Sequence, residues 1–334
     1  LAQAFRLAQQ GRFTTDPNPR VGCVLVRDGR VIGEGFHQVA GGPHAEAEAL
    51  ANATESVVGA TAYVTLEPCS YHGRTPSCAD ALIKAGVTRV VAAAPDPHPR
   101  NRGAGFDLLE AAGIEVVRDG DQAGAKALNP GHEKNHSEGR PYVRLKLAAT
   151  MDGFTGLPNG QSQWITSPAA RLEVQRMRAQ SSAIVTGANT VLSDDPELTV
   201  RDPRIDPKHS HLILARPKPV YVLDSQSRTM ATAKVYGNPL ARQVCGLETL
   251  NAHSAALKTK LNPDGQIDLP RFFEALAARG VLEVLVECGP TLAGAVMQAN
   301  LVDELVLFLA PKFMGVGKPL LQLPELDKMS DLRA

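Results

Sequence analysis

Pro43-His44-Ala45-Glu46, taken together with Glu67-Pro68-Cys69 and Cys78, decides how this chain is interpreted. These stretches supply one imidazole and two thiols that suit a metal ion, and a carboxylate that need not bind it. Imidazole and thiolate form a ligand set for Zn²⁺, and a catalytic zinc keeps three protein ligands and leaves its fourth position to water. His44, Cys69 and Cys78 meet that count. Glu46 lies two residues past His44. Positions two apart on a helix do not share a face, so one side chain is free to bind while the other moves protons. A structural zinc would call for a fourth Cys or His, and none stands at a supporting spacing. His72, between the two cysteines, is the rival ligand and is assigned to the substrate side or the surface.

Working outward, 21–27 has the pattern of a strand, Asp28-Gly29 that of a tight hairpin turn, and 30–37 that of the return strand. Pro43 starts a helix to about Ala53, since proline is tolerated at a first helical position. Strands at 61–66, 89–94 and 114–117 alternate with helices at 76–85 and 106–112. That alternation predicts a layered α/β domain. The metal ligands then stand at helix starts, where the positive end of the helix dipole favours thiolate over thiol. Gly103-Ala104-Gly105 lacks the third glycine of a dinucleotide fingerprint, because Leu108 occupies that place. These glycines are assigned to a turn and a helix entry. Residues 118–141 suggest a helix fragment and a connecting loop, with a domain boundary near 140. His132 and His136 are four apart, but Pro130 and Gly131 argue against a helix there, and a solvated loop is predicted.

In the second half, 142–148 alternates apolar and basic residues as a strand. Ser162-Gln163-Trp164-Ile165-Thr166-Ser167 caps a helix through Ala179, with Pro168 in its first turn. Strands are predicted at 183–186, 220–224, 281–287 and 304–310. Prolines 203, 207, 217 and 219 mark 200–218 as loop, and 230–268 carries no clear pattern. The turn from Val286 to Gly294 presents backbone N–H groups and the positive end of a helix dipole, which suits a phosphate or pyrophosphate. On composition alone it is a plain strand–helix turn.

The bulk properties set outer bounds. With 334 residues and about 150 residues per domain, two domains are expected. Lys+Arg and Asp+Glu are both 35, for a formal net charge of zero, so a broad nucleic-acid footprint is not expected. No apolar run approaches the roughly 18 residues of a membrane span. The five cysteines show no paired framework, which favours a reducing cytoplasm. The N-terminus has the pattern of an amphipathic helix without a signal-type apolar core, and a start without Met leaves room for a short lead.

The His-x-Glu, Pro-Cys and second Cys resemble the zinc deaminases of nucleobases, in which the Glu is the acid/base and not a ligand. The usual second spacing is two residues; here eight separate Cys69 from Cys78. That insert, Cys69-Ser-Tyr-His-Gly-Arg-Thr-Pro-Ser-Cys78, resembles the diaminohydroxyphosphoribosylaminopyrimidine deaminases of riboflavin biosynthesis. The second half resembles the reductase fused to them. The matching stretches are Lys146-Leu-Ala-Ala-Thr-Met-Asp152-Gly153, Ser162-x-Trp164, Arg178-Ala-Gln, Thr190-Val-Leu-x-Asp194-Asp195-Pro196-x-Leu198-Thr199-x-Arg201 and Asp224-Ser225.

The resemblance implies a cytidine-deaminase-like three-layer α/β domain over 1–140 and a dihydrofolate-reductase-like α/β domain over 141–334. It implies Zn²⁺ on His44, Cys69 and Cys78, with Glu46 as the proton carrier. Zinc lowers the pKa of bound water to about 7, so a nucleophile would be available at neutral pH to displace an exocyclic amine. Asn18 and His37 would contact the pyrimidine, with Arg74 and Thr75 near the phosphate. NADPH would be lined by Trp164, Thr190, Asp194, Ser225, the backbone of Ala148, and the turn Gly289, Pro290, Thr291, Leu292, Ala293, Gly294 and Ala295. Ser162, Arg178, Leu198, Arg201 and Glu287 would hold the substrate; Arg178 and Arg201 suit a phosphate by their planar donor forks. Lys146 and Glu287 would polarise the sugar during hydride transfer to ribosyl C1′. His98 stands where the family has Asn, and Phe154 where it has Lys or Arg. The family also continues past the equivalent of Ala334. The expected partners are phosphorylated pyrimidines and a homo-oligomer, a dimer favoured, with no nucleic acid and no membrane. The rivals are a tRNA or free-nucleoside deaminase, which would show the two-residue Cys spacing and a basic face, and a zinc-stabilised binding module, which would release no ammonia.

Overall fold

The computed structural model describes residues 1–71 and 77–328 and divides into two compact units, Leu1–Pro141 and Tyr142–Ala334. In the first unit α1 (Ala2–Ala8) precedes the hairpin β1 (Gly22–Arg27) and β2 (Arg30–Phe36). Then come α2 (Ala45–Ala51), β3 (Thr61–Val64), α3 (Cys78–Lys84), β4 (Arg89–Ala92), α4 (Ala104–Ala111), β5 (Glu115–Val117), α5 (Gln122–Leu128) and α6 (Pro130–Glu138). The sheet order is β2-β1-β3-β4-β5. β1 runs antiparallel to β2 and β3, and the remaining pairs are parallel. Asp28 and Gly29 close the hairpin with φ of 51° and 73°, as a two-residue turn with both central residues left-handed requires.

The alternation of side chains along β1 sorts the helices into layers. Cys23 and Leu25 join a core with Ala45 and Ala49 of α2, Leu82 of α3, and Phe106 and Leu109 of α4. Gly22 points the other way, where an added Cβ would stand 2.0 Å from the Ala4 carbonyl oxygen in α1. So α1 covers one face and α2 to α4 the other. Gly22→Ala must push the α1 backbone off the sheet. We expect it to cost about 1–3 kcal/mol, measured as a lowered midpoint of thermal unfolding.

The stretch after β5 corrects the sequence expectation. The expected helix fragment is α5, but in place of the solvated loop a second helix, α6, begins at Pro130. Proline at the first helical position gives up only an N–H that has no intrahelical partner there. His132 is buried. Its Nε2 lies 2.9 Å from Asp96 Oδ1, and its ring meets that of His136 edge-on at 4.8 Å. These histidines pack; among the described residues, the group placed to hold a metal is His44, Cys69 and Cys78. Burial pushes the Asp96 carboxyl up, but His132 and the N–H of His98 outweigh it, and the carboxyl sits below its ordinary range. A depressed carboxylate stabilises the fold above its unfolded pKa of about 3.9 and loses that contribution as pH falls. Asp96→Asn should therefore be less stable than wild type near neutrality, with the gap closing below about pH 4 in acid-unfolding curves.

The second unit contains β6 (Tyr142–Thr150), β7 (Phe154–Gly156), α7 (Pro168–Gln180), β8 (Ala183–Gly187), α8 (Ala188–Asp194), α9 (Ser210–Leu214) and β9 (Val220–Leu223). β10 (Ala241–Gly246), β11 (Leu257–Thr259), α10 (Leu269–Ala277), β12 (Glu283–Glu287), α11 (Pro290–Gln298), β13 (Glu304–Ala310) and β14 (Lys318–Pro319) follow. Seven strands form a sheet in the order β11-β10-β9-β8-β12-β6-β13, and every neighbouring pair is parallel. Ile184 packs on one face with Val191 and Val222. Val185 packs on the other with Phe273, Leu276 and Val296. Both faces of the central strands are covered, as buried parallel strands require. Ser167 caps α7 by accepting the Ala170 N–H. The short helix α9 lies inside the stretch expected to be loop, and β10 inside the stretch without a pattern. Gln243 explains the second miss. It is 1% exposed within β10 and donates to Asp224 at 3.0 Å, so a paired polar residue interrupts the apolar signal of a buried strand.

Candidate functional site

Three elements of the first unit converge on the metal group. His44 is the N-cap of α2, held extended at φ −76° and ψ 163°. Cys69 lies in the loop after β3, and Cys78 is the first residue of α3. His44 Nδ1 lies 3.2 Å from Cys78 Sγ and 3.6 Å from Cys69 Sγ. The Cys78 N–H donates to Cys69 Sγ at 3.2 Å, and all three donor atoms lie within 4.8 Å of one another. The hydrogen bond from the Cys78 thiol, helped by His44 and the Cys78 N–H, pulls the Cys69 thiol down to about 4, while donating that thiol bond pushes Cys78 up. One thiolate, a second thiol beside it and an imidazole, with no carboxylate among them, fit Zn²⁺ by donor chemistry.

The polar groups around this centre are equally fixed. Glu46 is 3% exposed, in the first turn of α2. Burial, reinforced by the charge on Cys69, raises its carboxyl to about 7, where a general acid–base group works best. His37 Nδ1 lies 2.8 Å from the Pro43 carbonyl oxygen. That bond fixes the proton on Nδ1 and leaves Nε2 to accept from Asn18 Nδ2 at 3.0 Å. Burial holds the His37 pKa below its ordinary value, so a neutral imidazole faces the site.

The second unit holds a cleft of about 1580 Å³ at the carboxyl ends of β6, β8, β9 and β12, the place where open α/β sheets take their ligands. Lys146, Ala148, Ser162, Trp164, Arg178, Thr190, Asp194, Leu198, Arg201, Ser225 and Glu287 line it, with Gly289 to Leu292 and Ala295. Gly289 is the N-cap of α11 and donates its N–H to Thr190 Oγ1 at 3.1 Å. Ser162 donates to Asp194 at 3.1 Å, and the Arg171 guanidinium lies 4.6 Å over the Trp164 ring.

Residues 141–334 match the RibD C-terminal domain, and residues 1–94 match the cytidine and deoxycytidylate deaminase zinc-binding region. The chain is 48% identical to the riboflavin biosynthesis protein RibD of Escherichia coli, over 99% of this chain and 92% of that protein. An Acinetobacter baumannii RibD structure superposes with a TM-score of 0.89 at 41% identity, covering 99% and 91% of the two chains. This chain belongs to the RibD family.

A RibD protein pairs a deaminase with a reductase in riboflavin biosynthesis, and the fold expectation holds: a cytidine-deaminase-like unit precedes a dihydrofolate-reductase-like one. The zinc-binding deaminase region and the NADPH-dependent RibD reductase domain supply the two cofactor assignments. Not every RibD candidate residue reaches its site. Arg74, Thr75 and the rival ligand His72 lie outside the described residues. Ala293 is buried in the core, and a Cβ on Gly294 would stand 1.9 Å from the Gln322 carbonyl oxygen, so these two face inward and do not line the cleft. Arg178 spends its fork on Glu287, with Nε and Nη2 at 2.5 and 3.0 Å, and its Nη1 on the Thr199 carbonyl at 3.1 Å. His98 Nδ1 accepts the Arg100 N–H at 3.1 Å, and its ring packs edge-on against His136.

Glu67, two residues before Cys69, has no role that the sequence alone reveals. Its buried carboxylate accepts the N–H groups of Asp96 at 2.9 Å, Gly103 at 2.9 and 3.0 Å, and Gly105 at 2.9 Å. A backbone anchor between residues so far apart leaves no spacing signal; the one available cue was the glycine pair itself.

Proposed function

We propose that the zinc centre deaminates 2,5-diamino-6-ribosylamino-4(3H)-pyrimidinone 5′-phosphate and that the cleft then reduces the ribosyl group of 5-amino-6-(5-phosphoribosylamino)uracil to ribityl. A Thermotoga maritima structure titled as a diaminohydroxyphosphoribosylaminopyrimidine deaminase and 5-amino-6-(5-phosphoribosylamino)uracil reductase supports this, at 32% identity and a TM-score of 0.85 over 99% of this chain and 91% of that one. The observation that carries the proposal is the convergence of three soft donors beside a buried carboxyl poised near neutrality.

His44, Cys69 and Cys78 would hold the zinc. When bound, it would make water nucleophilic at neutral pH. Glu46 takes the proton that this water loses and hands it to the ring nitrogen; it then takes the proton of the hydroxyl now on the ring carbon and passes it to the amine, so that ammonia leaves and a carbonyl remains. Asn18 and neutral His37 orient the pyrimidine. In the second unit NADPH would supply the hydride to ribosyl C1′. Its pyrophosphate would meet the first-turn N–H groups of α11, which lack intrahelical partners. Trp164, Thr190, Asp194, Ser225 and the Ala148 backbone would complete that site. Lys146 and Glu287 polarise the opening sugar, with Ser162 and Leu198 against the substrate. Arg201, whose fork is not spent on a buried carboxylate, takes the phosphate, and Arg178 holds Glu287 in place.

The five free cysteines favour a reducing cytoplasm. The exposed Leu305, Leu307 and Leu309 on the edge strand β13 favour a homo-oligomer, most simply a dimer. The test feeds the diaminopyrimidine phosphate with and without NADPH and follows ammonia and ribitylated product together. Ammonia alone is expected without NADPH, both products with it, and neither after prior zinc removal by chelator. Chelator-resistant ammonia release would overturn the zinc assignment.

A further inference from the structure

The loop after β4 carries a side chain whose place explains how Cys69 is held. Asn101 is 1% exposed. Its Oδ1 accepts the Ser70 N–H at 2.9 Å, and its Nδ2 faces the Pro68 carbonyl oxygen at 3.4 Å and Asp96 Oδ2 at 3.3 Å. Pro68 and Ser70 are the two neighbours of Cys69. One buried amide therefore meets the chain on both sides of one thiol. Asparagine suits the task because it presents an acceptor and two donors on a short side chain. The amide orientation follows from its partners: an N–H faces Oδ1, and two acceptors face Nδ2.

Neighbouring contacts lock the same loop pair. Glu67 anchors the backbone at Asp96, Gly103 and Gly105, and Gly105 sits so close that a Cβ there would lie 1.9 Å from the Pro68 carbonyl oxygen. On the other side of Cys69 the Ala79 N–H donates to its carbonyl oxygen at 3.1 Å. The Cys69 backbone is thus clamped, and with it the reach of Sγ towards His44 and Cys78.

We infer that Asn101 is a positioning residue that sets the Cys69 thiolate for zinc. The inference rests on Cys69 being a zinc ligand. Partners behind metal ligands typically change affinity 10–100-fold when removed. In the full-length protein, Asn101→Ala is expected to weaken zinc by about that factor in chelator competition, and to lower the thiolate charge-transfer band of the Co²⁺-substituted form. Asn101→Ser, which keeps a short acceptor, should fall between Asn101→Ala and wild type and serves where the alanine variant does not fold. Leu109→Ala is the control. It opens a cavity in the same core without touching the loop, so it should lower the unfolding temperature yet leave zinc affinity within twofold. Zinc affinity of the Asn101 variants within twofold of wild type, or an equal loss in Leu109→Ala, would overturn the positioning role. Cys69→Ser is measured alongside. If it binds zinc as wild type does, the ligand assignment itself fails; if it loses zinc while the Asn101 variants do not, only the role of Asn101 fails.

Discussion

Glu46→Gln should stop ammonia release while leaving the zinc content unchanged. The substitution keeps the shape of the side chain and removes its capacity to take up a proton. Glu46 is buried in the first turn of α2 and is not one of the three converging donors, so the metal group loses no ligand. A positioned general acid–base group contributes about 10²–10⁴-fold to rate. Because the proposed mechanism uses this carboxyl for the water, the ring nitrogen and the leaving amine in turn, the loss is expected at the upper end of that range. The measurement pairs metal analysis with ammonia release on the diaminopyrimidine phosphate, and adds NADPH oxidation on the deaminated compound. Zinc near one per chain, ammonia release down by about 10³-fold or more and an unchanged second reaction are expected. Turnover within tenfold of wild type would remove Glu46 from the proton path.

What could be foreseen from residues alone follows the range of the forces involved. The hairpin at Asp28-Gly29, the helix capped by Ser167 and the strand–helix alternation depend on local preferences, and each left a local signal. The ligand trio was legible because few residue types bind zinc, although its members come from three separate elements. The misses are long-range. Pro130 argues against a helix in the sequence yet begins one in the fold, where His132 of α6 reaches Asp96, 36 residues away. β10 stayed hidden because buried Gln243 is satisfied by Asp224 across the sheet. In the sequence Arg178 and Glu287 each suit the substrate, and only the fold shows that they are occupied by each other. Residue type shows what a side chain is able to bind; its neighbours in space decide what it does bind.

Arg178→Ala tests that last distinction and should be costly to stability as well as to reduction. Glu287 is 7% exposed and Arg178 9% exposed, and they share a bidentate ion pair. Burial alone would push the Glu287 carboxyl up; Arg178 outweighs it and, with Lys146 and Arg201, brings it below its ordinary range. Removing the arginine leaves a buried carboxylate with no fork, and breaking a buried pair from one side costs about 3–5 kcal/mol. Arg178→Ala is therefore expected to lower denaturant stability of the second unit by that order, and to abolish NADPH-dependent reduction because Glu287 loses its orientation. Ammonia release, measured on the same sample, should persist. Arg178→Lys keeps the charge without the planar fork and should recover part of the stability and little of the reduction. The decisive variant adds Glu287→Gln to Arg178→Ala. If the cost is an unpaired buried charge, neutralising it returns much of the lost stability, and the two substitutions are strongly non-additive. If instead Arg178 serves chiefly to grip the substrate phosphate, Arg178→Ala will leave stability within about 0.5 kcal/mol and raise only the KM for the substrate, and the ion pair will have been a resting contact that the substrate displaces.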